Sequence, residues 1–188
     1  MARKIVLFVV VLVAALLTFV VTRPDTFHVE RSATVHAPAD VVFARLDDFH
    51  RWSDWSPWEK LDPAMQRTYS GADKGVGAVY AWKGNDKVGE GRMTIQDAEA
   101  PRDLDIKLEF LKPFQATSAT KFALAPAEGG TKVTWSMDGR NNFMSKTMSL
   151  FMSMDKEVGK DFEKGLAQLD AAATAEAKAA PADSGAAQ

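Results

Sequence analysis

Three groups of side chains in this sequence could bind or act on a small molecule, and the first group is aromatic. Trp52, Trp55 and Trp58 place three tryptophans within seven residues of a loop-like segment. Large aromatic side chains in such a segment are costly to expose unless they close a cavity or pack in a core. We therefore predict that Trp55 and Trp58 line the mouth of a ligand cavity. Core packing is the alternative interpretation, and tryptophan also suits a membrane interface.

The second group is a row of methionines in the last third of the chain. Met144, Met148 and Met152 recur every four residues, which widens the apolar face of the helix predicted there. Flexible thioether side chains suit surfaces that adapt to a ligand. We predict that these residues and Phe151 contact the ligand if the helix covers a cavity. The alternative is that they belong to an ordinary core.

The third group is ionisable or aromatic and lies on predicted strands. Strand alternation places Arg31 on the face of Val29 and places Glu90 and Arg92 together on one face of another strand. A buried charge needs a partner, so an inward Arg31 would hold a ligand headgroup or form an ion pair. Solvent-exposed charges are the alternative. The remaining candidate ligand-binding residues are Tyr80 and Trp82.

Composition excludes several kinds of chemistry. The chain has no cysteine, so it contains no disulfide, thiolate nucleophile or cysteine-ligated metal. Its three histidines show no metal-ligand spacing, and neither a G-x-S-x-G nor an H-E-x-x-H motif occurs. A net charge of -2 gives no electrostatic signature of nucleic-acid binding. We therefore predict no catalytic residue, no metal, no cofactor and no nucleic-acid partner.

The elements that must position these residues are mostly strands. After Pro24 short segments alternate between apolar and polar residues, with glycine- and proline-containing turns between them. A helix of about three turns is predicted after Pro38 from the spacing of Val42, Leu46 and Phe49. The short connections indicate an antiparallel meander. The predicted strands are Phe27–His36, Met65–Ser70, Ala78–Lys83, Lys87–Gln96, Asp103–Phe110, Gln115–Leu124 and Thr131–Asp138.

One long helix is predicted to follow the last strand. Apolar residues recur at three- and four-residue steps from Phe143 to Leu169, which predicts a helix over Asn142–Asp170. The segment 171–188 is rich in alanine and has no bulky apolar residue, so we predict a frayed helix end and a disordered tail there. A curved seven-stranded antiparallel sheet around the long helix, an α+β fold, would satisfy this order of elements.

The N-terminus predicts a membrane anchor. Ile5–Val21 is apolar except for Thr18 and follows Arg3 and Lys4. As a helix it would span about 25 Å of a bilayer core of about 30 Å. A cleavable signal peptide is the competing interpretation, but no small-x-small cleavage site follows the apolar run. We predict an uncleaved anchor in residues 1–23, which crosses the inner membrane once and leaves the domain on the periplasmic side.

Several short motifs occur in a fixed order between about Thr26 and Leu169. They are Phe27–Ser32, Ala37–Phe43, Trp55–Lys60 with Asp62-Pro63, Gly75–Ala78, Trp82–Asn85, Gly129–Trp135 and Asp161–Leu166. Their joint order resembles the SRPBCC superfamily of START-like, birch-allergen-like helix-grip proteins, and more narrowly its polyketide cyclase/dehydrase branch. The resemblance implies a helix-grip domain over residues 24–170, with a cavity between sheet and long helix for a hydrophobic or amphipathic ligand.

Function is less defined than fold, because the superfamily contains lipid carriers, receptors and cyclases. The favoured hypothesis is a membrane-tethered module that binds a hydrophobic small molecule or lipid. One alternative is a cyclase- or dehydratase-type enzyme on a polyketide-like substrate, in which Arg31, Tyr80, Glu90 or Arg92 polarises a carbonyl. Another is a surface-interaction domain with a closed core. The residues that face the cavity distinguish these hypotheses, whereas ligand identity and oligomeric state stay open.

Overall fold

The computed structural model describes residues 2–150 and 152–179. An N-terminal helix is followed by a strand, two short helical segments, six more strands and two further helices. The helices are α1 (Ala2–Val21), α2 (Ala39–Leu46), a 3₁₀ helix (Phe49–Asp54), α3 (Phe143–Met148) and α4 (Met154–Ala179). The strands are β1 (Thr26–Val35), β2 (Gln66–Gly71), β3 (Ala78–Lys83), β4 (Glu90–Glu99), β5 (Asp103–Lys112), β6 (Ala116–Ala127) and β7 (Gly130–Arg140).

The seven strands form one antiparallel sheet in the order β1-β7-β6-β5-β4-β3-β2. The first strand therefore pairs with the last, and every other neighbour is joined through a short connection. This confirms the predicted seven-stranded fold, with strand ends that shift by up to three residues. The start of β1, the end of β7 and the loops 84–89 and 113–115 all lie at the same end of the sheet. We call this the α1 end.

The segment with three tryptophans is helical in its first part only: Trp52 lies in the 3₁₀ helix, Trp55 follows the end of that helix and Trp58 lies in the turns after it. Pro38 precedes α2, and the Asp48 side chain accepts a hydrogen bond from the His50 backbone N–H at the start of the 3₁₀ helix. The Trp52 indole N–H donates to the Leu46 carbonyl over 3.0 Å, and the Trp55 indole N–H donates to the Arg45 carbonyl over 3.3 Å. These bonds hold α2 and the 3₁₀ helix together, so both indole rings enter the core.

The prediction of one continuous helix over Asn142–Asp170 is wrong. The structure has α3 and α4 with a connection between them, and two serines explain the interruption. The Ser149 hydroxyl donates to the Lys146 carbonyl, and the Ser153 hydroxyl accepts a hydrogen bond from the Lys156 backbone N–H at the start of α4. α3 can therefore contact α1, while α4 lies across the sheet.

The C-terminal helix also continues beyond Asp170, to Ala179. The frayed end and tail predicted from Ala171 are therefore wrong for residues 171–179, whereas 180–188 lie outside the described residues. Ala173 is fully buried because its small side chain lets α4 approach its neighbours closely. Glu176 forms ion pairs with Arg45 and Arg51, at 2.8 Å and 2.5 Å. The spacing of apolar residues does not predict that this part of α4 is packed, because the segment is rich in alanine and alanine is only weakly hydrophobic.

The core fills the space between the inner face of the sheet and α4. The helix contributes Phe162, Leu166 and Leu169, which are buried against inward side chains of the sheet. The rings of Trp135 and Phe162 stack at a centroid distance of 4.1 Å. Gly165 permits this arrangement, because a Cβ atom there would lie 2.7 Å from the Trp135 ring.

α1 projects from the domain with most of its described apolar side chains exposed, whereas Val20 near its end is buried. Its mean hydropathy of 3.0 and its length of 20 residues are sufficient to cross a membrane. Polar contacts hold the junction with the domain: the Lys146 ammonium binds the Asp25 carboxylate at 2.5 Å and the Val21 carbonyl at 3.4 Å. The hydrogen bond and charge of Lys146 hold the pKa of Asp25 below its usual value. The Asn141 side chain also donates to the Pro24 carbonyl.

Candidate ligand-binding cavity

A cavity of about 230 Å³ lies between the sheet, the segment that carries the three tryptophans, and the first half of α4. Its wall is mainly apolar. The 3₁₀ helix and the segment after it contribute Trp52, Ser56, Trp58, Glu59 and Met65, and α4 contributes Val158, Asp161 and Phe162. The sheet and the loop 84–89 contribute Tyr80, Trp82, Lys87, Val88, Met93, Leu108, Phe110, Thr120, Trp135 and Met137.

Aromatic rings form a large part of this wall, and ring contacts and a hydrogen bond hold them in place. Trp58 stands edge-on to Trp135 at a centroid distance of 5.6 Å. The Trp82 indole N–H donates to the Val88 carbonyl over 3.0 Å, which fixes its ring against the loop 84–89. Gly91 on the neighbouring strand makes room for that ring, because a Cβ atom there would lie 2.5 Å from the Trp82 ring and 2.5 Å from a backbone carbonyl.

One carboxylate is built into the cavity wall. Glu59 is only 7% exposed, and it accepts hydrogen bonds from the Tyr80 hydroxyl at 2.5 Å and from the Arg67 guanidinium at 2.7 Å. Burial, together with the bond to Glu59, raises the pKa of Tyr80. Tyr80 therefore stays protonated at neutral pH and donates to Glu59, while Arg67 balances the charge of the carboxylate.

Two further polar groups in the wall lack a hydrogen-bond partner among the described residues. They are the hydroxyl of Thr120, 5% exposed, and the indole N–H of Trp135, 2% exposed. Thr120 pairs with Met137 across β6 and β7, and Trp135 pairs with Phe122. The two residues are thus diagonal neighbours on the inner face of the sheet, about 7–8 Å apart.

Wall residues of the loop 84–89 and of the first turns of α4 reach the protein surface, which indicates that the cavity opens between these two segments. Lys87 is exposed there, while Val88, Val158 and Asp161 are half-buried. The two charged residues flank an otherwise apolar opening. Since the loop 84–89 is part of the α1 end, the mouth faces that end of the domain.

The structure brings together three of the predicted ligand-binding residues. Trp58, Tyr80 and Trp82 all line the cavity. Trp55 lies behind the wall: it is fully buried and packs edge-on against Phe122 and Trp135. For Trp55 the alternative interpretation, core packing, is therefore the right one.

The three predicted charged residues lie outside the cavity wall. Arg31 is on the inner side of β1, as predicted, and its guanidinium forms ion pairs at 2.8 Å with Asp155 and with Glu163 of α4. It thus ties α4 to the sheet, which is the ion-pair alternative stated for it. Glu90 and Arg92 pair with Lys112 and Glu109 on strand β5, each at 2.7–2.9 Å.

The methionine row lies away from the cavity, contrary to its expected placement. Met144, Met148 and Met152 are about half exposed, at 48%, 50% and 54%. The break between α3 and α4 causes this, because it turns the methionines toward the α1 end instead of the sheet. Phe151, the fourth residue of that prediction, lies outside the described residues.

Sequence reasoning missed Glu59, Thr120, Trp135 and Val158 as wall residues. Glu59 follows Trp58 in a segment without strand or helix periodicity, so the pattern does not indicate its direction. Trp135 alternates with polar neighbours, which marks an inward face but does not separate core from cavity wall, and Thr120 is itself polar, so the pattern does not indicate its burial. Val158 was part of the predicted helix stripe, which alone does not reveal that the stripe borders a cavity.

Comparison with known proteins supports the same architecture. Residues 26–174 match the family described as polyketide cyclase/dehydrase and lipid transport. No curated protein matches the sequence significantly. A protein from Rhizobium leguminosarum is similar in structure, with a TM-score of 0.59 and 13% identity, over 80% of this chain and 96% of that one.

Two further structures have the same fold. Ara h 8.0201 superposes with a TM-score of 0.53 and 18% identity, over 82% of this chain and 99% of that one. The di-domain ARO/CYC protein StfQ of the steffimycin biosynthetic pathway gives 0.58 and 10%, over 82% of this chain and 52% of that one. At these identities the likeness extends to the fold, and it confirms the helix-grip architecture.

Proposed function

This chain belongs to the polyketide cyclase/dehydrase and lipid transport family, and we propose that it is a membrane-anchored domain that binds a hydrophobic or lipid-like small molecule between its sheet and α4. The observation that carries the proposal is the mainly apolar cavity of about 230 Å³ with aromatic side chains in its wall. Such concave sites with few polar groups are typical of small-molecule binding. Of the four residues considered for carbonyl polarisation, Arg31, Glu90 and Arg92 lie outside the wall, and the Tyr80 hydroxyl is bound to Glu59. This arrangement favours binding over the enzymatic alternative.

The distribution of exposed apolar side chains supports a membrane setting. In the described part of the chain outside α1, the exposed large apolar residues are Leu61, Val76, Leu111, Phe114, Phe143, Met144, Met148, Met152 and Met154. All except Val76 and Met154 belong to segments that meet at the α1 end. Phe143, Met144 and Met148 lie on α3, which contacts α1, and Met152 is hydrogen-bonded to the Met148 carbonyl.

The remaining three residues, Leu61, Leu111 and Phe114, also lie near the α1 end of the sheet. Leu111 and Phe114 lie where β5 turns into β6, and Leu61 precedes Asp62, whose carboxylate accepts a bond from the Asn85 backbone N–H. An exposed apolar surface of this kind marks an interaction site. Because α1 leaves the domain from the same end, the partner that fits is the lipid bilayer into which α1 inserts.

In this proposal the cavity mouth lies beside the bilayer. Both the mouth and α1 belong to the α1 end, and residues 22–25 make a short, hydrogen-bonded link between α1 and β1. A ligand could then move from the lipid phase into the cavity without crossing much water. Arg3 and Lys4 before the apolar run favour an N-terminus on the cytoplasmic side. We place the domain on the periplasmic face of the inner membrane.

Blocking the mouth with Val158→Trp is expected to weaken ligand uptake by about tenfold or more, roughly 1.4 kcal/mol. Val158 is half-buried at the mouth, so a larger side chain there obstructs the opening without filling the core. Titration of residues 24–188 with the uncharged dye 1-aminoanthracene, followed by fluorescence, measures the effect. Glu157→Trp is the matched control, because Glu157 is exposed and outside the wall. Equal dye affinity in both variants would contradict ligand binding in this cavity.

Contact of the α1 end with lipid can be tested by labelling, because the chain has no native cysteine. We expect a polarity-sensitive maleimide dye at Phe114→Cys or Met148→Cys to emit at shorter wavelength in full-length protein reconstituted into phosphatidylcholine vesicles. Brominated lipids should quench it. The control Val76→Cys lies at the opposite end of the sheet and should report water. Identical spectra at all three sites would rule out docking through this end.

A further inference from the structure

We infer that the α1 end docks on a bilayer surface that carries acidic phospholipids, and that exposed lysine and arginine side chains at this end attract their headgroups. The inference rests on the proposed membrane setting and assigns a headgroup charge to it. At the strand ends and connections of the α1 end, exposed basic side chains outnumber exposed acidic ones. The exposed basic residues are Lys60, Lys83, Lys87, Lys112 and Arg140, and the exposed acidic residues are Asp25 and Asp86.

The positions of the basic residues spread them over the whole end of the sheet. The last residues of β3, β5 and β7 are Lys83, Lys112 and Arg140. Lys87 lies in the loop 84–89. Lys60 is near the same loop, because Asp62, two residues later, accepts a hydrogen bond from a backbone N–H of the loop over 2.7 Å.

Most of this positive charge is not neutralised by carboxylates of the domain. Lys112 pairs with Glu90 at 2.9 Å, and Asp25 is paired with the less exposed Lys146. The other four exposed basic residues form no ion pair within residues 2–150 and 152–179. The first turns of α4, beside the mouth, are balanced, with two acidic and two basic exposed residues: Asp155, Lys156, Glu157 and Lys160.

The opposite end of the sheet has the reverse balance. Its exposed acidic residues are Asp40, Asp73, Glu99 and Glu128, and its exposed basic residues are Lys74 and Arg102. β5 has ten residues, so the two ends lie about 30 Å apart, whereas the Debye length in physiological salt is about 8 Å. The acidic end therefore lies beyond the reach of a charged bilayer surface that touches the α1 end.

Basic and apolar residues are neighbours at the α1 end. Lys60 precedes Leu61, and Lys112 follows Leu111. When such an apolar side chain enters the boundary between headgroups and acyl chains, the adjacent ammonium group lies at the level of the headgroups. Each basic residue near an acidic lipid surface strengthens binding about fivefold. Apolar contact and charge thus favour docking through the same end.

The charge of the lipid surface is tested with full-length protein that carries a polarity-sensitive maleimide dye at Phe114→Cys, since the chain has no native cysteine. The protein is reconstituted into vesicles of phosphatidylcholine alone or of phosphatidylcholine mixed with phosphatidylglycerol. We expect the fraction of dye that emits at short wavelength to be larger in the mixed vesicles. At about 1 M salt, where the Debye length is about 3 Å, the two vesicle types should give the same spectrum.

Substitutions then identify the charges that act. Lys60→Gln combined with Lys83→Gln should lower the docking equilibrium constant in mixed vesicles about fivefold for each lysine, and should change nothing in phosphatidylcholine. Lys60→Arg combined with Lys83→Arg keeps the charge and should retain docking. Lys74→Gln combined with Arg102→Gln is the matched control, because these exposed residues lie at the opposite end, and it should have no effect.

Equal spectra of the dye in the two vesicle types at low salt would overturn the inference and leave docking through the apolar side chains intact. An equal loss of docking in the control at the opposite end would also overturn it. If the dye reports water in both vesicle types, the proposed docking of the α1 end itself fails.

Discussion

Removal of residues 1–23 is expected to transfer the protein completely from the membrane fraction to the soluble fraction without unfolding it. α1 carries the long apolar surface, and the transfer of the 16 apolar residues between positions 5 and 21 into lipid contributes more to membrane binding than the remaining surface does. The core begins with β1 at Thr26, and α1 contributes Val20 to the buried residues. Fractionation of cells, followed by circular dichroism of the released domain, measures both expectations.

A matched control replaces residues 5–21 with leucines and should stay in the membrane with an unchanged domain. We expect this control to stay in the membrane because a helix needs only sufficient length and hydrophobicity to span the bilayer, whatever its exact sequence. Two observations would count against the anchor: a mature N-terminus near residue 23 in membrane-free extract, or a folded state that is lost on truncation. Weak residual binding of the released domain to vesicles is compatible with docking through Phe114, Met144 and Met148.

The second large effect is on stability: Trp55→Ala should lower the free energy of unfolding by about 3–5 kcal/mol. Trp55 is fully buried, packs against Phe122 and Trp135, and joins α2 to the 3₁₀ helix through its bond to the Arg45 carbonyl. Removal of the indole would leave a large void, and the Arg45 carbonyl would lose its hydrogen bond from the Trp55 N–H. Urea denaturation of residues 24–188 monitored by circular dichroism gives the change.

Trp58→Ala is the informative comparison for this variant. Trp58 is half-buried and borders the cavity, so its truncation enlarges an existing space, and we expect a stability loss of only about 1–2 kcal/mol together with weaker binding of 1-aminoanthracene. Trp55→Phe keeps an aromatic ring and should recover part of the lost stability. Equal destabilisation at positions 55 and 58 would show that the cavity wall and the core behind it are not distinct.

The three methionines show that the apolar pattern along a segment does not determine which surface its side chains face. Met144, Met148 and Met152 follow helical spacing, and so a continuous helix would have carried them toward the sheet. Ser149 and Ser153 interrupt that helix with hydrogen bonds to the backbone. Met144 and Met148 then lie on α3, which contacts α1, and all three methionines are exposed, which fits a bilayer surface rather than a ligand cavity.

Local sequence patterns were sufficient to predict several of the secondary-structure elements. Alternation along segments such as Leu104–Phe110 predicted the strands, short turns predicted their antiparallel order, and the uninterrupted apolar run predicted α1. Tertiary structure alone decided which apolar side chains became core, cavity wall or exposed surface. Trp55 and Trp58 are three residues apart in one motif, yet one is core and the other borders the cavity. The spacing of apolar residues indicates which face of a helix or strand is apolar. What packs against that face depends on elements distant in the chain. Glu59, Thr120 and Trp135 are examples, because they come from different segments and line one cavity.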